Sequence, residues 1–281
     1  MVAKSLRRDS QRVARSVVRN ELDVLRKDLV AEQNALDDVV ANINDDQWQL
    51  LTPSPGWNVR DQIAHLTYFD HSGATAILQP ARFQESVTEL VANMKNGSID
   101  EFTLGPLRRH SPRELLGAWR RGREHLNEAV STLNVETRVP WYGPSMGARS
   151  FLTARLMEVW AHGTDIIDTV GATRPATDRL RHIAQLGFIT RKWSYLVRGD
   201  EIPDGDVRLE LIGPDDDLWT WGPDDATDVI QGSAEDFCLV VTQRRHVNDT
   251  SLKAGELGHH WLARAQAFAG GPSDGPRPRS V

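Results

Sequence analysis

Four long stretches in the first 170 residues repeat apolar side chains every three or four positions, and this period most constrains the chain. It commits the region to helices, each with one face that has to be buried against another element. The first runs from about Glu21 to Ile43, with Leu22, Leu25, Leu29, Leu36, Val40 and Ile43 on one side. The second follows the loop TPSPGW at 52–57, starts where Asn58 and Asp61 have N-cap spacing, and reaches about Leu78. A shorter helix is expected over Arg82 to Met94. The third long helix opens on Ser111-Pro112-Arg113-Glu114, with Ser at the cap, Pro in the first turn and Glu completing a capping box. Its core stripe is Leu115, Trp119, Leu126, Val130 and Leu133. The fourth spans about Ala148 to Val170 and is stopped by Gly171. Four such helices joined by loops predict a mainly α architecture, an antiparallel four-helix bundle over residues 21–172.

The pattern changes after Pro175. One further helix is expected over Asp178 to Leu196, then two alternating strand-like runs, VRLELIGP and DLWTWGP, separated by Asp215, Asp216 and Asp217. Helices at Ala234 to Gln243 and Leu257 to Phe268 complete a small α+β domain over 176–269. Residues 270–281, GPSDGPRPRSV preceded by Gly270, have the composition of a disordered tail. Residues 1–20 have no complete hydrophobic face and are read as a flexible or weakly helical extension.

Composition narrows the function classes. With 40% hydrophobic and 26% charged residues in 281, the chain can bury a substantial core. No run approaches the roughly 18 apolar residues of a membrane span, and the first residues lack the pattern of a secretory signal, so no membrane association and a cytoplasmic location are expected. The net charge is −6, while residues 1–20 hold six basic side chains against Asp9 alone. Basic charge confined to a terminal segment argues against nucleic acid as a partner. The single cysteine, Cys238, excludes an internal disulfide and a cysteine-rich zinc site, so any metal would use His, Asp and Glu. Cys238 itself lies in an apolar run and reads as an inert buried thiol.

The chemistry-bearing pattern is in the fourth helix. At about 100° per residue, Arg155, Glu158, His162 and Asp165 fall within an arc of roughly 80°. The apolar residues Leu152, Leu156, Val159 and Ile166 lie beside this stripe, whereas a merely solvated face would lie opposite them. Glu158 and His162 have the i, i+4 spacing that lets two side chains converge on one ion. On the second helix, His65 borders the apolar face of Val59, Ile63, Leu66 and Phe69. Two readings remain: a salt-bridged surface in which Arg155 pairs with Glu158, or a three-ligand site of His65, Glu158 and His162. Three protein ligands leave a coordination position open, as catalytic metal sites do. Asp165, one turn beyond His162, is placed to hold a ligand's ring nitrogen from behind. Arg155 is the candidate for binding a substrate anion, or the partner of Glu158.

GWNVRDQIAHL on the second helix and RLMEVWAHGTDI on the fourth resemble the DinB-like metalloenzyme superfamily, and within it the mycothiol-dependent maleylpyruvate isomerase family of actinobacteria. The resemblance covers about residues 22–170, and the C-terminal part, including GSAEDFCLVVTQRRH, is similar to an uncharacterised metal-binding subgroup. It implies a divalent metal, commonly zinc, on His65, Glu158 and His162, and mycothiol or a similar low-molecular-weight thiol as cosubstrate. The implied function is a thiol-dependent isomerase or transferase acting on a small electrophile, as a monomer or homodimer, with the C-terminal domain closing one side of the pocket. Two alternatives stand beside it: a non-catalytic divalent-metal-binding protein, and a small-ligand carrier that uses the C-terminal domain. Asp215 to Asp217 lack the rest of a calcium loop and read as a solvated hairpin turn. His259 and His260 read as surface, and Trp141, Tyr142 and Met146 either line a pocket or pack a loop.

Overall fold

The computed structural model describes the backbone of residues 2–94 and 99–279, with side chains from Glu21 onward except Met94. Two compact units divide it, Met1–Ala172 and Thr173–Val281. No helix of the described residues is long and apolar enough to cross a membrane.

In the first unit α1 is Val2–Val40, α2 Val59–Leu78, α3 Pro80–Met94, α4 Ile99–Thr103, α5 Pro112–Val130 and α6 Ala148–Val170. The long helices α1, α2, α5 and α6 form the antiparallel bundle: α1 packs on α5 and α6, and α2 packs on the same two from the other side. Leu25, Leu29 and Leu36 of α1, Ile63 and Leu66 of α2, Leu115, Trp119 and Leu126 of α5, and Leu152 and Leu156 of α6 meet in the core. Burial of each such side chain contributes roughly 1.5–3 kcal/mol before conformational entropy is counted. The backbone of the N-terminal segment read as an extension continues α1; its side chains and Met1 lie outside the described residues. At its other end α1 stops at Val40, three residues short of the expected Ile43.

The N-cap expected at Asn58 and the capping box expected at Ser111 both form, each as a full box. Asn58 accepts from the Asp61 amide while Asp61 accepts from that of Asn58, and Ser111 and Glu114 do the same at the start of α5. Gly171 ends α6 in the left-handed conformation, φ 68°, that a residue without Cβ adopts at no steric cost. The segment between α5 and α6 holds a two-residue pairing absent from the sequence reading, β1 (Arg138–Val139) with β2 (Met146–Gly147).

In the second unit the single helix expected over 178–196 is two, α7 (Leu180–Ile189) and α8 (Arg191–Leu196). They join at Thr190, whose hydroxyl donates to the carbonyls of Leu186 and Gly187 at 2.8 and 3.0 Å. β3 (Val207–Ile212) and β4 (Leu218–Trp221) form the expected hairpin. Asp216 adopts φ 63° in its turn, so the acidic triplet serves backbone reversal. A third strand, β5 (Asp228–Ser233), runs parallel to β3 on the edge away from β4. Its sequence DVIQGS is too short in apolar alternation to announce a strand by itself. α9 (Ala234–Val241) and α10 (Glu256–Leu262) follow, the latter ending six residues before the expected Phe268. α9 packs on α7 at Gly187, where a Cβ would stand 2.8 Å from Val241 and 2.9 Å from Phe237.

Residues 271–279, expected as a disordered tail, have no regular secondary structure and are tied down by hydrogen bonds. The Ser273 carbonyl accepts from Arg198 and from Gln243, and the Arg279 amide donates to Asp249. Cys238 is fully buried, its thiol donating to the Leu180 carbonyl, and burial pushes its pKa well above the ordinary value.

Candidate metal centre

Two helix starts and one loop position this site. The α2 capping box sets its first turn, and Arg108 grips Asp61 of that box at 2.8 and 3.1 Å. His65 therefore projects two turns in, toward α6. There Nε2 of His65 lies 3.3 Å and Nε2 of His162 3.1 Å from the same atom, Oε2 of Glu158. One ligand atom from each of the three residues falls within 4.8 Å of the others, the arrangement expected from the sequence.

The proton positions follow from the neighbours. Thr52 donates its hydroxyl to the Trp57 carbonyl, so its oxygen accepts from the Gln62 amide at 2.8 Å. That amide also approaches Asp165 Oδ2 at 3.4 Å. The Gln62 carbonyl is left to accept from Nδ1 of His162, at 2.5 Å. With Nδ1 carrying a proton, Nε2 of a neutral His162 presents a lone pair to a carboxylate oxygen. A second proton or a cation between them resolves that conflict. Burial alone would raise the Glu158 carboxyl, but hydrogen bonds and charge from His162 and His65 hold it well below 4.5, so it is ionised. Two imidazole Nε2 atoms and a carboxylate oxygen converging on one point are a donor set that fits a divalent metal such as zinc.

Asp165 was expected to hold a ligand's ring nitrogen. At Nδ1 of His162 the acceptor is instead Gln62, and Asp165 stands behind it, accepting from Ser54 at 2.9 Å. Arg155 is also placed differently from the salt-bridge reading: it pairs with Asp70 at 2.9 Å, and not with Glu158. Both side chains are interior, 3% and 0% exposed. Burial raises the Asp70 carboxyl above its ordinary value, with Arg155 opposing. Arg155 Nε is buried without a hydrogen-bond partner.

Aromatic rings close the site. Trp57 lies 5.1 Å from the His65 ring and stacks on that of His162 at 5.9 Å, held by its indole N–H donating to Asp100 at 2.7 Å. Phe69 packs on His65 at 4.6 Å. Trp141 stacks on Phe83, and the half-buried Tyr142 donates to Ser72, so both join one aromatic cluster with Phe69. The sequence reading missed Gln62, Thr52, Ser54, Trp57 and Asp70. A signal existed for Gln62, a polar residue three before His65 on the same apolar border.

Comparison with known proteins agrees with this fold. The family model described as the mycothiol maleylpyruvate isomerase N-terminal domain matches residues 29–167, and one described as wyosine base formation matches 205–254. Uncharacterised proteins from two strains of Mycobacterium tuberculosis are each 45% identical over 249 residues, covering 88% of this chain and 96% of theirs. The crystal structure of the mycothiol-dependent maleylpyruvate isomerase shares the fold with a TM-score of 0.57 at 17% identity, over 83% of this chain and 92% of that one. A variant of that isomerase with one histidine changed to alanine matches over the same shares, at 0.56 and 16%. The bundle, the His–Glu–His convergence inside it and these relatives together make the chain a member of the DinB-like, mycothiol maleylpyruvate isomerase family.

Proposed function

We propose that this protein is a metal-dependent enzyme of low-molecular-weight thiol chemistry, isomerising or conjugating a small electrophile, with mycothiol or a close analogue as cosubstrate. His65, Glu158 and His162 would hold the divalent ion, for which zinc suits the donor set. Bound there, such an ion supplies Lewis acidity that lowers the pKa of a coordinated thiol or water toward neutrality. The chain's own residues do the positioning. Gln62, braced by Thr52 and Asp165, keeps Nδ1 of His162 protonated and Nε2 directed inward. Trp57 and Phe69 shield the two imidazoles from water, while Glu158 at 24% and His65 at 17% side-chain exposure leave an open side for substrate. Arg155 is a positioning residue in this proposal, joining α6 to Asp70 of α2.

The observation that carries the reading is the approach of both Nε2 atoms to one oxygen of an ionised carboxylate. Elemental analysis of purified protein should find about one divalent ion per chain, and a chelator should remove it and lower the melting temperature. Metal-loaded protein should then accelerate thiol addition to maleylpyruvate-like electrophiles. Equal turnover by metal-free protein would sink the proposal.

A further inference from the structure

A cavity of about 560 Å³ opens between α2, α4 and α5. Phe102, Pro106 and Leu107 give it an apolar wall. His71 of α2 and Arg121 and His125 of α5 give it a basic one. Arg121 and His125 are one helical turn apart and so share a face of α5. No carboxylate is among the described residues lining this space. Elsewhere in the same unit arginines meet acids: Asp37 takes Arg120 and Arg123, Asp61 takes Arg108, and Asp70 takes Arg155. The imidazole of His71 titrates below its ordinary value, through burial first and then through the positive charge of His125 and Arg82. A guanidinium and two imidazoles thus face a void of ligand size with no carboxylate in its described lining, next to a surface that would bury carbon.

We infer that this cavity binds a small organic anion, a carboxylate carried on an apolar, ring-sized body. The carboxylate would meet Arg121, His125 and His71, and the body would lie on Phe102, Pro106 and Leu107. Arg121 offers the planar fork that matches a carboxylate. The site is separate from His65, Glu158 and His162, so it stands or falls independently of the metal chemistry.

The test is a titration of the full chain with three probes, benzoate, benzyl alcohol and inorganic phosphate, read by calorimetry and by the imidazole resonances of His71 and His125. Benzoate should saturate one site and move both resonances, with benzyl alcohol at least about tenfold weaker because it lacks the charge. Arg121→Gln and His125→Gln should each weaken benzoate by at least about tenfold, and Arg121→Lys by less. Phe102→Ala should weaken benzoate but leave phosphate unchanged. Failure to saturate by about 10 mM, or a benzoate affinity indifferent to Arg121→Gln, would overturn the inference. Phosphate binding as tightly as benzoate would overturn its apolar half and leave a bare anion site.

Discussion

The two units bury polar groups in opposite ways. In the bundle the interior holds Asp37, Gln62, Asp70, Arg155, His162 and Asp165, each bonded across helices: Asp37 to Arg120 and Arg123, Asp70 to Arg155, and Gln62 to His162 and Asp165. In the second unit the buried polar side chains among the described residues are Ser194, Thr242 and Gln266, and none carries a charge. They serve nearby backbone: Ser194 accepts from the Gln266 amide, Thr242 donates to the Cys238 carbonyl, and Gln266 donates to the Gly271 carbonyl. A buried charge is tolerated only where partners are prepared for it, and its removal strands those partners. The concentration of such groups falls in the unit that holds the candidate metal centre.

The sharpest way to break this contrast is at Asp70 and Arg155. Arg155→Ala leaves an unpaired buried carboxylate and should destabilise the bundle by about 3–5 kcal/mol in chemical denaturation. Asp70→Leu with Arg155→Met should lose less than the single change. A loss under about 1 kcal/mol for Arg155→Ala would mean that the pair is not held in the interior.

Next in size are effects on metal rather than on folding. His65→Ala, Glu158→Ala or His162→Ala should each abolish tight binding, since two protein ligands remain. Gln62→Leu should weaken it by about 10–100-fold and Asp165→Asn by less, because Gln62 bonds Nδ1 of His162 directly while Asp165 approaches the Gln62 amide. Competition titration with a zinc chelator ranks them, and the reverse order for Gln62 and Asp165 would contradict the hydrogen-bond chain.

In the second unit Asp228 gives a smaller, pH-dependent effect. Burial would raise its carboxyl, but amides of Gly258, Gly255 and Val229 lower it below 3.8. A depressed folded pKa contributes stability that is present above the unfolded value of 3.8 and lost as pH falls through the folded one. Asp228→Ala should cost about 1–3 kcal/mol at neutral pH, less in strong acid, and leave metal content untouched. Any change in metal affinity would show the two units to be coupled. Least of all, deletion of residues 1–20, proposed to lie outside the folded body, should shift the melting temperature by less than about 2 °C. A larger fall would show that the segment packs on the bundle.

The helices were legible because their signals are local. The Leu22, Leu25, Leu29 period, the Ser111 and Asn58 caps and the Glu158–His162 spacing each involve residues within about two turns, so chain geometry alone sets their relation. His65 was legible as well, since the border of an apolar face points between helices wherever the bundle packs. Partner choice was not. Asp70 lies 85 residues from Arg155, Gln62 100 residues from His162, and Gln62 103 residues from Asp165. Arg155 had an acceptable partner on its own helix in Glu158, and only the approach of α2 decided that a more deeply buried acid would take it. The parallel pairing of β5 with β3 is likewise a long-range choice that no pattern within DVIQGS encodes. Periodicity and capping thus determined which faces turn inward, while packing determined which of the inward polar groups meet, because hydrogen bonds between helices depend on the angle and register at which they cross.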